Sequence, residues 1–311
     1  MTRRTLLGTA AGVTAASAMM RMRETLIDTH IHLFSEDQRR FPFSANGVYK
    51  PEARPLKPYL EFASDAELTG VVIVHPEPYQ DDHRYLEHCF RNEPFPGFFK
   101  GTCLYDPIAA DTPDRMAELV RRHPKRIIAL RIHVNRTRGE KPTVSGPIRD
   151  RDLMHPGMRT AWRKAHDLGL AIQMHTIPLH APEIGRLARD FSDTVVVIDH
   201  LARAGQGTPE EYDRVLELAK LPKVVMKFSG VRYSSKQDPP HRDAAPLIRR
   251  TYDAFGPDRM IWGGLGMTMA EFRRNRDTFD TLLGFASAAD RAKIAGLTAT
   301  RLFGWTPASG R

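Results

Sequence analysis

Two histidines separated by a single residue, His30-Ile31-His32, close the first apolar run of this chain. Side chains alternate faces along a strand, so His30 and His32 share one face while Ile31 turns to the other. Two neutral imidazoles on one face form a chelate suited to a transition metal, zinc above all. Alone, the pair carries limited weight, because a polar residue at a strand end is often simply hydrogen-bonded to a loop.

The other apolar runs end in the same way. They close on His75-Pro76-Glu77, Asp106, Arg131-Ile132-His133, His175, Asp199-His200 and Lys227-Phe228-Ser229. Burying so many ionisable groups at one end of a fold is costly unless they pair, coordinate a metal or hold a ligand. The last run differs: it passes into Gly263-Gly264-Leu265-Gly266-Met267, which offers no reactive side chain.

The elements that must position these residues are read from the periodicity. Apolar, β-branched runs of strand length span Thr25–His32, Thr69–His75, Phe98–Tyr105, Ile127–His133, Leu170–His175, Thr194–His200, Lys223–Ser229 and Arg259–Gly264, with segments of helical spacing between them. Strand then helix, eight times over, predicts a single (β/α)8 barrel, whose usual length of ~250 residues fits the chain. An open doubly wound sheet would need a glycine-rich phosphate turn after an early strand, and Ile27–Phe34 has none. The expected organisation is a leader over residues 1–24, a barrel over 25–305 and a tail over 306–311. In a barrel of this kind the reacting groups stand at the carboxyl ends of the strands, where these histidines and acids fall.

Composition narrows the class. The chain has 311 residues, 41% hydrophobic and 27% charged, with a formal charge of +9. Its Lys and Arg are dispersed among acids rather than gathered with aromatics, so small anionic substrates are expected as partners and nucleic acid is not. No run after the leader has ~18 consecutive apolar residues, so no membrane span is expected. A homo-oligomer is left open. Cys89 and Cys103 have no zinc-ribbon spacing, and whether they pair is open. The start, Thr2–Gly8 with Arg3-Arg4, precedes an Ala/Gly/Thr-rich run and Ala16-Ser17-Ala18, a pattern similar to a twin-arginine export signal. A periplasmic or secreted location is expected.

Four segments carry a family resemblance: Ile27–Phe34 (IDTHIHLF), Val195–Arg203 (VVVIDHLAR), Val225–Gly230 (VMKFSG), and Asp258–Gly264 followed by Thr298–Trp305. Together they resemble the amidohydrolase-related family, in the branch of 2-pyrone-4,6-dicarboxylate lactonases and sugar lactonases. The resemblance implies a (β/α)8 hydrolase with one divalent metal, zinc for preference, held by His30, His32, His175 and His200. It also implies that Tyr49, Arg131 and Arg232 hold substrate oxygens, work for which the guanidinium fork is suited. Lys227 is either a further substrate contact or half of an ion pair inside the barrel.

One position departs from the family pattern. Relatives carry an aspartate after the eighth strand, as metal ligand or general base, where this chain has Leu265. A general base contributes typically ~10² to 10⁴-fold, so its loss does not by itself abolish hydrolysis. Glu77 is the expected substitute base. Asp199 is the second choice, turned from the pocket by strict alternation and placed to orient a neighbour. The expected function is an exported, metal-assisted hydrolase of a small carboxylated or hydroxylated lactone. A metal-dependent lyase on the same scaffold and a binding protein without activity are the alternatives.

Overall fold

The apolar runs pair in sequence order into one parallel sheet in the computed structural model, whose described residues are 24–305. The strands are β1 (Ile27–Ile31), β2 (Gly70–Ile73), β3 (Phe99–Cys103), β4 (Ile127–Val134), β5 (Ala171–Thr176), β6 (Val196–Ile198), β7 (Val224–Phe228) and β8 (Met260–Trp262). Between them lie α1 (Leu56–Asp65), α2 (Arg84–Arg91), α3 (Thr112–Arg122), α4 (Pro156–Asp167), α5 (Ala181–Asp190), α6 (Pro209–Glu217) and α7 (Ala245–Phe255), and α8 (Met269–Leu282) follows the last strand. The expected (β/α)8 barrel is the architecture found. The leader, with Arg3-Arg4, lies outside the described residues. Cys89 and Cys103 are buried free thiols.

Alternation sorts each strand into two cores. Val71, Leu130, Ile172, Ile198, Met226 and Trp262 face the helices in the larger apolar cluster. Ile27, Val72, Ala129, Ala171, Val197, Val225 and Ile261 fill the barrel floor, with Trp305 packed beneath. Two residues further along the inward faces the side chains become polar: Arg131, Gln173, Asp199 and Lys227, each at most 3% exposed. The barrel is thus apolar below and charged at its carboxyl end, where an apolar filling would leave nothing to bind a polar ligand.

The β1–β8 seam is closed by individual bonds beside this charged layer. Thr29 Oγ1 donates to the Trp262 carbonyl at 2.5 Å, Gly264 N donates to Asp28 Oδ1 at 2.8 Å, and Leu265 N donates to the His30 carbonyl at 3.2 Å. Asp28 Oδ1 also accepts from His30 N at 2.9 Å. This clamp coincides with a shift of register in β1 between Asp28 and Ile31. The shift matters because Ile27 faces the barrel interior and Ile31 the helices; without it, equal parity would place both on one face. It delivers His30 and His32 inward, as the HxH pattern predicts. Burial pushes the Asp28 carboxyl up to about 7, against the pull of its two backbone donors.

Replacing Asp28 by Ala leaves two buried N–H groups unpaired, each worth ~1–3 kcal/mol, and is expected to lower unfolding free energy by about 3 kcal/mol. Asp28→Asn keeps the oxygen acceptor without the buried charge and is expected to cost less than half of that. Urea denaturation of both variants checks the clamp, and equal losses would show that charge rather than hydrogen bonding holds the seam.

Candidate active site

Two imidazoles flank His30 at the barrel mouth. His30 Nε2 lies 3.3 Å from His32 Nε2, and the His30 and His200 rings are 4.4 Å apart. Each ring is braced through its other nitrogen. His32 Nδ1 donates to the Val74 carbonyl at 2.8 Å, His200 Nδ1 pairs with Ser229 Oγ at 2.8 Å, and His30 Nδ1 faces Lys227 Nζ at 3.4 Å and Asp199 Oδ1 at 3.7 Å. Burial, then the Arg131 charge, pushes His32 down to about 3; burial also takes His200 to about 3 and His30 well below the usual histidine range. All three are therefore neutral lone-pair donors at ordinary pH.

Asp199 organises the groups beneath them. Its Oδ1 lies 2.9 Å from Lys227 Nζ, Gln173 Nε2 donates to its two oxygens at 3.1 and 2.9 Å, and an Arg131 Nη2 stands 3.5 Å from Oδ2. Burial alone would raise this carboxyl, but Lys227, His30 and Arg131 hold it well below the usual carboxylate range. Lys227 is thus the barrel ion pair rather than an exposed substrate contact, since its ammonium is spent on Asp199 and the Thr29 carbonyl.

The expectation that alternation turns Asp199 away is corrected here. Val197 faces the barrel floor, so Asp199, two residues on, faces inward; His200 is the residue of wrong parity. It reaches the mouth because β6 stops at Ile198 and the chain makes a left-handed turn, with φ of 52–55° at His200, Leu201, Ala202 and Arg203. Such a turn is unfavourable for residues with a Cβ, by ~1–2 kcal/mol each, and persists only when its surroundings dictate it.

The same turn brings up Arg203, which the sequence reading did not single out. Its guanidinium lies 4.2 Å over the Tyr233 ring, and Nη1 is 3.5 Å from His175 Nε2. His175 is therefore engaged by a cation on the nitrogen that would face a metal, and its Nδ1 lies 3.4 Å from Asn135 Nδ2. His175 borders two groups: its ring centre is 5.5 Å from that of His200 and 5.0 Å from that of His133, and beyond His133 stands a wall of Arg131, Asn135 and Arg203. On that wall Arg131 Nε, Arg203 Nε, His133 Nε2 and Asn135 Oδ1 are buried without a hydrogen-bond partner.

The remaining predicted residues take distinct places. Glu77 starts a short 3-10 turn after β2; its buried Oε1 has no hydrogen bond, Arg149 lies 3.8 Å away, and burial raises its carboxyl against the arginines nearby. Tyr49 is 45% exposed and within electrostatic reach of Arg131 and Glu77. Arg232 is exposed at the rim, folded over Tyr233 with Nη2 donating to its hydroxyl at 2.8 Å. Two strand-end groups leave the mouth: His75 stacks on His83 with ring centres 4.2 Å apart, and Asp106 pairs with Arg151 at 2.7 Å.

The donor set fits a divalent cation. Donor atoms of His30, Asp199 and His200, a group that leaves out His32, lie within 4.8 Å of one another. The 3.3 Å between the facing Nε2 atoms matches the ~3.3 Å that separates two nitrogens bound at ~2.0–2.1 Å to a tetrahedral zinc. Bracing of the second ring nitrogen by a carbonyl, a hydroxyl or a carboxylate is the usual support of such ligands.

Comparisons with known proteins place the chain among lactone hydrolases and their relatives by similarity. The amidohydrolase family model matches residues 27–305. The chain is 28% identical over 246 residues to L-fucono-1,5-lactonase of Burkholderia ambifaria, covering 76% of this chain and 78% of that one. It is 26% identical over 291 residues to 4-sulfomuconolactone hydrolase of Hydrogenophaga intermedia, covering 89% and 88%. Its fold is similar to the crystal structure of a probable 2-pyrone-4,6-dicarboxylic acid hydrolase of Acinetobacter baumannii with citric acid bound, at a TM-score of 0.71 and 19% identity over 90% of this chain and 100% of that one.

Equilibrium dialysis against zinc, followed by metal analysis, tests which of the four histidines hold the metal. His32→Ala and His200→Ala are each expected to weaken zinc binding at least ~tenfold, and His175→Ala to change it by less than about twofold. Loss of zinc in His175→Ala would return that residue to the ligand set.

Proposed function

The chain belongs to the amidohydrolase family, and we propose that it is a lactonase-like hydrolase that opens a small lactone bearing a free carboxylate. The observation that carries this reading is the wall opposite the imidazole cluster, where two guanidinium nitrogens, an imidazole nitrogen and an amide oxygen are buried without partners. Buried polar atoms are rarely left so, and a carboxylate supplies the acceptors that three of these four can serve. The names of the two curated relatives, both lactone hydrolases, support the reaction class.

In this proposal Arg131 and Arg203 hold the substrate carboxylate and turn the lactone carbonyl toward His30, His32 and His200. Those three residues would hold a divalent metal, which when bound acts as a Lewis acid toward a carbonyl oxygen. Asp199 keeps Lys227 and His30 in place and does not leave the ion pair. Glu77 accepts the proton of the attacking water at Oε1, which makes no hydrogen bond and stands 3.8 Å from Arg149; burial raises its basicity toward the range in which a general base is effective. As the ring C–O bond breaks, Glu77 returns its proton to the departing ring oxygen, and the product is a hydroxy acid with a second carboxylate.

The chain is proposed to act outside the cytoplasm, on the strength of the Arg3-Arg4 leader. Arg3→Lys together with Arg4→Lys is expected to retain the precursor in the cytoplasm, and unaltered secretion would contradict export.

The reaction is tested by following acid release and products from a panel of carboxylated lactones. One equivalent of ring-opened acid per lactone is expected, and release of carbon dioxide would replace hydrolysis with a lyase reaction. Arg203→Ala is expected to raise KM by ~10 to 100-fold for carboxylated lactones, the worth of one charge-assisted hydrogen bond, with little change for the uncharged ring. Equal effects on both would remove Arg203 from the anion site.

A further inference from the structure

The left-handed turn that carries His200 and Arg203 is packed against one side chain from the end of the next strand. Tyr233 closes a short 3-10 turn, Val231–Tyr233, directly after β7. Its ring centre lies 5.6 Å from that of His200, which begins the left-handed turn. The guanidinium of Arg203, which ends the turn, lies 4.2 Å over the same ring. The two loops also touch main chain to main chain, since a Cβ added at Gly205 would stand 2.5 Å from the Tyr233 carbonyl oxygen. Gly230 admits the ring from the other side. With a left-handed φ of 54°, it is placed so that an added Cβ would stand 2.8 Å from His200 Nδ1 and 3.0 Å from two carbons of the Tyr233 ring.

Consecutive residues with a Cβ are costly in the left-handed region and hold only where the surroundings dictate it. Leu201 and Ala202, inside the turn, have no side-chain oxygen that could bond the local backbone. The ordering contacts come from outside: Leu201 and Ala202 are buried, and the flat ring of Tyr233 meets the residues at both ends. The Tyr233 hydroxyl serves another neighbour. It accepts from Arg232 Nη2 at 2.8 Å, while His200 and Arg203 are met by the ring alone. Ring and hydroxyl are therefore separable by substitution.

We propose that Tyr233 is a positioning residue that sets the distance between the imidazole cluster and Arg203, and so between the group that can hold a metal and the group that can hold a carboxylate. Its consequence for turnover rests on the lactone-hydrolase reading; its effect on the two binding groups does not. One substrate must reach both groups at once, and a displacement of ~1 Å between them can cost ~10²-fold in rate. Without the ring, His200 loses its packing on one side and Arg203 loses the face it lies on, so both affinities fall together.

Zinc dialysis, and calorimetry with succinate on the metal-free protein, separate this role from a general loss of structure. Tyr233→Leu, which removes the ring, is expected to weaken zinc and succinate binding by at least ~threefold each, the latter within the worth of one cation–π contact. Tyr233→Phe keeps the ring and frees only Arg232, and is expected to hold both affinities within about twofold of native. In an Arg203→Ala background Tyr233→Leu is expected to cost succinate nothing further, because the ring acts on the anion through that guanidinium. A folded Tyr233→Leu protein with native affinity for either ligand overturns the proposal. So do larger losses in Tyr233→Phe, additive succinate losses with Arg203→Ala, and a native protein that does not bind both ligands. Turnover of a carboxylated lactone is followed in the same native preparation; its absence would reject the hydrolase reading while the binding ratios still report on Tyr233.

Discussion

One carboxylate balances two cations inside this barrel, and the mouth depends on it. Asp199 is completely buried and meets Lys227 and Arg131, each almost as deeply buried. Removing one partner of such a set leaves an uncompensated charge, at ~3–5 kcal/mol, so none of the three can change alone. Lys227 lowers the affinity of His30 for protons, both cations lower that of His200, and Arg131 lowers that of His32. The neutral state that suits imidazole to a metal is thus sustained partly by a network that touches only one of the rings.

Two opposed surfaces result from that arrangement. One presents three lone-pair nitrogens; the other presents the Nε atoms of Arg131 and Arg203, which have no hydrogen-bond partner. They are joined by the left-handed turn after β6, because His200 begins it and Arg203 ends it. The strained backbone therefore fixes the spacing between a group that can hold a cation and a group that can hold an anion. Across the barrel the Asp28 clamp does comparable work: it ties the register shift that aims His30 to the glycine turn after β8.

The barrel could be read from repeated strand-and-helix periodicity, because that pattern reports burial on one side or two. His30 and His32 could be read from their spacing, although the register shift that makes it effective left no mark in residue types. The sixth and eighth strands were expected to run to His200 and Gly264 but stop at Ile198 and Trp262. In both places the backbone turns sharply, and apolar periodicity does not register a turn made by residues other than glycine or proline. That is why Asp199 and His200 exchanged parity and why Arg203 was overlooked. His175 was placed with the metal by family likeness; the guanidinium on its Nε2 comes from a residue 28 positions away and is visible only in three dimensions.

The most direct measurement is of steady-state kinetics for a carboxylated lactone with the native protein and with Asp199→Asn, an exchange that keeps shape and removes the charge. A fall in kcat of at least ~10²-fold, with secondary structure retained and with both zinc binding and KM disturbed, is expected if this carboxylate holds the cations and imidazoles in register. Native-like kcat and KM in a folded Asp199→Asn protein would show that the mouth assembles without it.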